Sequence, residues 1–409
     1  MNKHQLKVAW LCPYPIDKLP NEKVKYNQSK CFHPASWLVH LSNALGKLQN
    51  IQLHIFTETN WVNKDYHFIH NNIYFHILKN PYKIPFFKRG FPSKIPISLI
   101  TGYYLSSIKF LRKIKIIQPD LIHSHGTEGQ YALFGLRSFY PLVISIQGVM
   151  KFMSNFNDMY QKKILYYENY SIKRAKNFGS RTEWVNNYIK SINPNANIYY
   201  MPEAINPVYF KESNVDRKDI IIYVGDLRER KGIIYLIRAF KEVTKIYSKY
   251  KLYIVGDSKI EYLNFLKKSI NELEISSNVK FLGKKNASEI KKYHDIAKLF
   301  VFPTLIDNSP NSVAEAMVSG LPVISSNTGG IPSMIDDSKN GILVPSKNSD
   351  VLAEKIIHLI KNKDFRSKLG ENATFVARQR HGPNIVAEIT VNVYKDILIS
   401  SNKYLNKQL

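Results

Sequence analysis

At 409 residues the chain exceeds one typical core, and its length predicts two or three domains. Its 44% hydrophobic and 12% aromatic content supplies packed interiors and argues against a disordered chain. The net charge of +26 is uneven: through Tyr200 there are 26 Lys/Arg against 9 Asp/Glu, and beyond it 32 against 23. A basic first half fits an anionic surface, either lipid headgroups or nucleic acid, or a set of lysines that only solvate the protein.

Cys12 and Cys31 have no metal-ligand spacing and cannot make a disulfide framework, so a reducing compartment is expected. The opening MNKHQLKVAWLC lacks the apolar core and cleavage site of a signal peptide. Nowhere do about 18 uncharged apolar residues run together. The expectation is a cytoplasmic protein, soluble or peripheral on the inner face of the plasma membrane.

Apolar β-rich runs alternate with helix-period segments, the pattern of βαβ units and parallel sheets. In the first half the predicted strands are Lys7–Cys12, Ile51–Thr57, Ile73–Leu78, Leu121–His125, Val143–Gln147, Phe178–Arg181 and Ile198–Met201. Predicted helices cover Pro34–Leu48, Ser98–Ile116, Glu128–Arg137 and Lys162–Arg174. Between them Asn80–Pro96, rich in proline, reads as an irregular loop whose Lys83, Phe86, Phe87, Lys88, Arg89, Phe91 and Lys94 suit an anionic bilayer.

The run MPEAINPVYFKESNVDRKD, residues 201–219, reads as an interdomain linker. A second series then predicts strands Ile220–Val224, Lys251–Val255, Val279–Leu282, Leu299–Phe302, Pro322–Ser325 and Gly341–Val344. Its helices are Ile234–Ser248, Glu261–Leu273, Ser288–Ile296, Asn311–Ser319, Ser349–Lys361 and Asp364–Arg378, and a last helix spans about Asn384–Ser401. The expected architecture is α/β, with two doubly wound Rossmann-like domains facing across a cleft. Their bounds are 1–204 and 205–383. A C-terminal helix, 384–409, follows the second domain.

Two segments carry chemistry. The first strand of the second series runs into Gly225-Asp226-Leu227-Arg228-Glu229-Arg230-Lys231-Gly232 and then a helix, a turn whose amides and cations suit a phosphate. It lacks the glycine spacing of a Walker loop. The second is FPTLIDNSPNSVAEAMVSGLPVISSNTGGIPSMIDDSKNGILVP, residues 302–345. Asp307 and Glu315 could be an acid and base pair. The intervening Asn308-Ser309-Pro310-Asn311-Ser312 reads as a loop entering a helix, which separates the two carboxylates and favours two contacts along one extended ligand. A carboxylate takes a vicinal diol well, so Glu315 is assigned to a ribose and Asp307 to a sugar's hydroxyls. The alternative is that Asp307 and Asn308 only cap the helix.

Read together, the proline loop, Glu-Ala-Met-x-x-Gly-x-Pro-Val and Thr-Gly-Gly-x-Pro resemble the retaining GT-B glycosyltransferases of family four, with Asp307 at the first position of that family's Glu-x7-Glu signature. The resemblance extends to Lys231-Gly232, Asp120-Leu-Ile-His-Ser-His125, Gly341 and a C-terminal helix, 384–409, that crosses back to the first domain, and it implies an acceptor bound mainly by 1–204 and a nucleotide-sugar donor bound mainly by 205–383. It implies a retaining transferase moving a sugar from a nucleotide-sugar donor, a UDP- or GDP-sugar, to a saccharide or lipid-linked saccharide in bacterial surface polysaccharide biosynthesis. Asp307, His125 and Lys231 would be catalytic. Glu315, Arg228, Gly225, Asn308, Ser309, Pro310, Asn311 and Ser312 would bind the donor, with Lys231 on its diphosphate and His125 near its anomeric carbon. His125 is otherwise a structural histidine. Asp226 stands where the family has Arg, so Arg228, or else Arg230, would supply the charge. Asn27–Cys31 and His33–Trp37 replace the family's Gly-Gly turn. No Asp-x-Asp pair is present, so no metal is expected, and neither is another cofactor or nucleic acid. The rival readings are a sugar-nucleotide epimerase or hydrolase, and a basic nucleic-acid-binding protein.

Overall fold

The structure is a computed structural model describing residues 5–26, 35–80, 97–153 and 159–405. The basic loop residues from Lys83 to Lys94, Cys31, and the 27–34 part of the turn replacement lie outside these described residues. The chain divides into two units: Met1–Arg181, Val185–Ala204 and Pro383–Leu409 form one, and Thr182–Trp184 with Ile205–Gly382 form the other.

The first unit carries an eight-stranded sheet of β1 (Leu6–Leu11), β2 (Ile51–Thr59), β3 (Tyr66–His70), β4 (Ile73–Lys79), β5 (Leu121–His125), β6 (Leu142–Ser145), β7 (Asn177–Ser180) and β8 (Asn197–Tyr200). Its order is β3-β4-β2-β1-β5-β6-β7-β8, parallel throughout except for β3 against β4. Alternate side chains of β1 feed opposite layers. Val8 and Trp10 pack with Leu38 and Leu41 of helix Ser36–Leu45 and with Val386 and Tyr394 of helix Pro383–Leu405. Ala9 and Leu11 pack with Phe110, Ile114 and Phe134 on the other face. The C-terminal helix therefore completes the first unit's core, and Tyr394 joins it by accepting the indole N–H of Trp10 at 2.8 Å.

The structure corrects one sequence reading in this unit and adds two elements. The single helix expected over Ser98–Ile116 is two, Ile97–Ile100 and Tyr104–Ile117, because Gly102 and Tyr103 both adopt positive φ (60° and 55°). Strand β3 pairs with β4 through a turn at Asn71-Asn72, both with positive φ. Helix Glu183–Ile192 follows β7.

The second unit has a six-stranded, wholly parallel sheet: β9 (Ile220–Val224), β10 (Lys251–Val255), β11 (Val279–Gly283), β12 (Leu299–Phe302), β13 (Val323–Ser326) and β14 (Ile342–Val344). The order β11-β10-β9-β12-β13-β14 is 3-2-1-4-5-6 counted from the unit's own first strand. In that doubly wound arrangement ligands bind outside the carboxyl ends of the strands where the order reverses, here between β9 and β12. Strands β9, β12 and β13 are buried on both faces, as parallel sheets require. Residues of the expected linker belong to this unit's core: Asn206 caps the 3-10 turn Pro207–Phe210, and Tyr209 is fully buried.

Candidate donor-type site

The loops that follow β9 and β12 meet at the reversal point, held by hydrogen bonds from main-chain and side-chain donors to backbone carbonyls. Leu305 N–H donates to the Arg230 carbonyl at 2.8 Å, and the Arg230 guanidinium donates to the Ile306 carbonyl at 2.9 Å. Gly232, at φ 70°, makes the approach possible, since a Cβ there would lie 1.9 Å from the Pro303 oxygen. The Gly-Gly turn serves the same purpose on the far side. A Cβ on Gly329 would lie 2.1 Å from the Asp307 oxygen and one on Gly330 2.0 Å from that of Asn308, while Gly330 N–H donates to the Asp307 carbonyl at 2.9 Å.

Asp307 is thereby fixed in the loop five residues beyond β12. Its Oδ2 lies 2.5 Å from Lys231 Nζ and 3.9 Å from an Arg230 nitrogen, with both Lys231 and Asp307 nearly buried. Lys231 Nζ also stands 5.2 Å from the centre of the Phe302 ring. The capping alternative for Asp307 and Asn308 is not what the structure contains: the residue at the helix N-cap is Pro310, with no side-chain cap, and the Asn308 carboxamide accepts the Thr182 hydroxyl at 2.7 Å. Ser309 is buried with its hydroxyl 3.4 Å from Met334 Sδ, and Asn311 and Ser312, half-buried, begin helix Asn311–Val318.

Glu315 lies on the second turn of that helix, half-buried. Burial of its carboxyl pushes it up to about 8, and a hydrogen bond from the Tyr209 hydroxyl offsets part of the rise. Tyr209 in turn is driven above the usual phenol range by burial and by the Glu315 charge. At neutral pH without a ligand Glu315 therefore holds its proton; a diol donating two hydrogen bonds would favour the carboxylate. Among the cations, Arg228 pairs with Asp226 at 2.9 Å and both are well exposed, while Arg230 is the arginine beside Asp307. Gly225 directly follows β9, its N–H donating to the Val255 carbonyl at 3.0 Å, and its own carbonyl is approached by Gly256.

The first unit has a polar group at its own reversal point, between β1 and β5. His125 ends β5, is 5% exposed, stacks on His123 with ring centres 3.8 Å apart and meets Trp10 edge-on at 4.5 Å. Its imidazole lies well below the usual range, through burial first and then the nearby His123 and Arg181, so it is neutral. Neither ring nitrogen has a hydrogen-bond partner among the described residues. His123, by contrast, is satisfied by Tyr394 and Ser145, each at 2.7 Å. Close by, Glu128 accepts the Gly148 N–H at 2.6 Å and is pushed up to about 7 by burial. Arg181, after β7, pairs with Glu203 at 2.8 Å and donates to Gln147 at 3.1 Å; both members of the ion pair are buried. Among the described residues no group of three or more His, Cys, Asp or Glu is arranged to hold a metal ion.

Sequence reasoning overlooks Tyr209, Thr182 and the Arg181–Glu203 pair. Only Tyr209 leaves a readable cue, in Asn206-Pro207, an N-cap followed by proline at the first helical position.

The sheet order and both reversal points define a GT-B architecture, and comparison with known proteins agrees. Residues 206–375 match the family model "Glycosyl transferases group 1" and residues 31–182 match "Glycosyl transferase 4-like". The chain is 24% identical over 354 residues to the alpha-monoglucosyldiacylglycerol synthase of Acholeplasma laidlawii, covering 77% of this chain and 85% of that one. It is 32% identical over 180 residues to an uncharacterized glycosyltransferase of Methanocaldococcus jannaschii, but spans only 45% of that relative's length and 44% of its own. Among solved structures it resembles a sucrose-phosphate synthase from Thermosynechococcus elongatus, at TM-score 0.77 and 18% identity over 97% of this chain and 100% of the other. Anabaena Alr3699/HepE in complex with UDP-glucose gives TM-score 0.68 and 16% identity, over 96% and 100%. The two family matches and the shared fold support a glycosyltransferase of the GT-B type.

Proposed function

We propose that the protein is a retaining glycosyltransferase that takes a sugar from a nucleotide-sugar donor and places it on a saccharide or lipid-linked saccharide. The observation carrying this reading is the Lys231–Asp307 pair at the β9/β12 reversal point, with Glu315 on the helix that follows. In the absence of a ligand the ammonium neutralises the aspartate. With a donor present, Lys231 turns to the diphosphate and Asp307 is released to accept hydroxyls of the sugar. Glu315 accepts the ribose diol, giving up its proton, and the amides of the loop and helix start at Ser309–Ser312 face the phosphates.

The bond from the anomeric carbon to the diphosphate oxygen breaks. The acceptor oxygen bonds to the same face of that carbon, and its proton passes to the departing phosphate. Lys231 and Arg230 stabilise the charge that grows on the phosphate. The neutral His125, with both nitrogens unpaired, is held for a substrate hydroxyl. Support for a UDP-sugar comes from the Alr3699/HepE complexes with UDP and with UDP-glucose. A role in surface polysaccharide or glycolipid synthesis draws on relatives such as the amylovoran biosynthesis glycosyltransferase AmsK of Erwinia amylovora. An anionic membrane would bring a lipid-linked acceptor, no metal is assigned to the reaction, and the protein would work at the cytoplasmic face.

The test is a transfer assay with UDP- and GDP-sugars and a panel of saccharide and lipid-linked acceptors, reading released nucleotide and the anomeric configuration of the product. Acceptor-dependent transfer with retention, lost in Lys231→Ala and Glu315→Ala variants of native-like far-UV circular dichroism, is expected. An epimer or free sugar formed at the same rate without any acceptor would move the reading to an epimerase or hydrolase.

A further inference from the structure

The first unit presents one face in which large apolar side chains stand in solvent among cations. In helices Ile97–Ile100 and Tyr104–Ile117, Ile100, Tyr104 and Leu105 are each more than half exposed. In helix Met159–Arg174 so are Met159 and Tyr166. Packing joins them: the Tyr167 hydroxyl donates to the Leu99 carbonyl at 2.9 Å, and the Arg137 guanidinium lies 6.0 Å from the Tyr104 ring. Isolated exposed apolar residues need no explanation, but a contiguous group does.

Cations predominate on this face, although Lys109 is paired with Asp65 at 2.7 Å. From Ile97 to Pro119 there is no acidic residue, against Lys109, Arg112, Lys113 and Lys115. Helix Met159–Arg174 has Lys162, Lys163, Lys173 and Arg174, and its one acid, Glu168, is turned inward and fully buried, accepting the Tyr188 hydroxyl at 2.8 Å. The aromatic rings and cations are interleaved: Lys163 Nζ stands 4.9 Å from the Tyr166 ring centre and 5.0 Å from that of Tyr167, and the Arg174 guanidinium 3.8 Å from that of Tyr170. Amphipathic rings with a polar tip and long cationic stems are the groups that settle at the headgroup level of a bilayer.

We propose that this face docks the protein on an anionic lipid surface. Tyr104, Leu105, Met159 and Tyr166 would enter the headgroup layer, and Lys162, Lys163 and Arg174 would pair with lipid phosphates. This rests on and deepens the membrane part of the proposed function and places a contact on these helices. None of the described helices is long and apolar enough to cross a membrane, so the attachment is to a surface. Each cation near an anionic bilayer is worth about a fivefold change in partitioning, and the effect fades within a Debye length.

The experiment is flotation of the full-length protein with vesicles of phosphatidylcholine alone and with about one-third phosphatidylglycerol. Recovery with the anionic vesicles only, weakened by added salt, is expected. Lys162→Glu/Lys163→Glu should cut binding about 25-fold or more, and Tyr104→Ser/Tyr166→Ser should cut it about tenfold. Nucleotide-induced thermal shifts should stay unchanged in both, so loss of docking and failure of the transferase reading are separable. Equal recovery from neutral and anionic vesicles, or charge-reversed protein that floats like wild type, would overturn the proposal. So would a dimer in sedimentation equilibrium that Tyr104→Ser/Tyr166→Ser dissolves, because a second copy would then be the occupant.

Discussion

Glu315→Gln separates the titration of this buried carboxyl from its shape. The folded carboxyl is pushed from 4.5 to about 8, so between those values the folded protein binds a proton that the unfolded chain has released. Stability from this group is therefore complete below about pH 4.5 and is lost as pH rises toward and through 8. At about 1.4 kcal/mol per unit the upper bound is about 5 kcal/mol; the side chain keeps some exposure, which reduces the expectation to about 1–3 kcal/mol. Glutamine fills the same space without titrating. Urea denaturation of both proteins from about pH 5 to about pH 9, following the transition of the second unit, gives the difference directly. The variant should gain on wild type steadily with pH and lead by about 1–3 kcal/mol at the alkaline end. A difference that stays flat, or one that falls with pH, would refute the assignment of a neutral carboxyl at this position.

Gly329→Ala places a methyl 2.1 Å from the Asp307 carbonyl at φ 57°, and should destabilise the second unit by about 2–3 kcal/mol while weakening nucleotide binding. A change below about 0.5 kcal/mol in denaturation would show that the loop yields freely. Glu203→Gln leaves Arg181 buried without its counter-charge, and should cost about 3–5 kcal/mol in the same measurement on the first unit; a cost under about 1 kcal/mol would mean that water enters to solvate the guanidinium.

The second unit is the more legible in sequence. Its strands are short continuous apolar runs bounded by turn residues, and Ile220–Val224, Lys251–Val255 and Leu299–Phe302 coincide with the predicted spans. Full burial in a parallel sheet writes itself into composition. Strand β3, Tyr-His-Phe-Ile-His, sits at a half-exposed antiparallel edge, where alternation with polar residues dilutes the apolar signal. Helix Ser98–Ile116 looks continuous because periodicity does not register the positive φ at Tyr103. The approach of Lys231 to Asp307 joins positions 76 residues apart, and only the two sequence glycine turns hint at it. Thr182 is further still from legibility, and Asn206-Pro207 signals only the turn that carries Tyr209, since the pairing of that 3-10 turn with Glu315 and of a threonine beyond β7 with Asn308 depends on tertiary placement.

Calorimetric titration of the wild-type protein and Lys231→Ala with UDP and GDP tests the central claim most directly. The account predicts that wild type binds one of the two nucleotides, that binding at neutral pH releases a proton from Glu315, and that Lys231→Ala weakens it by about tenfold or more through loss of a charge-assisted phosphate contact. Undiminished binding in Lys231→Ala, or no binding of either nucleotide by the folded wild type, would contradict it.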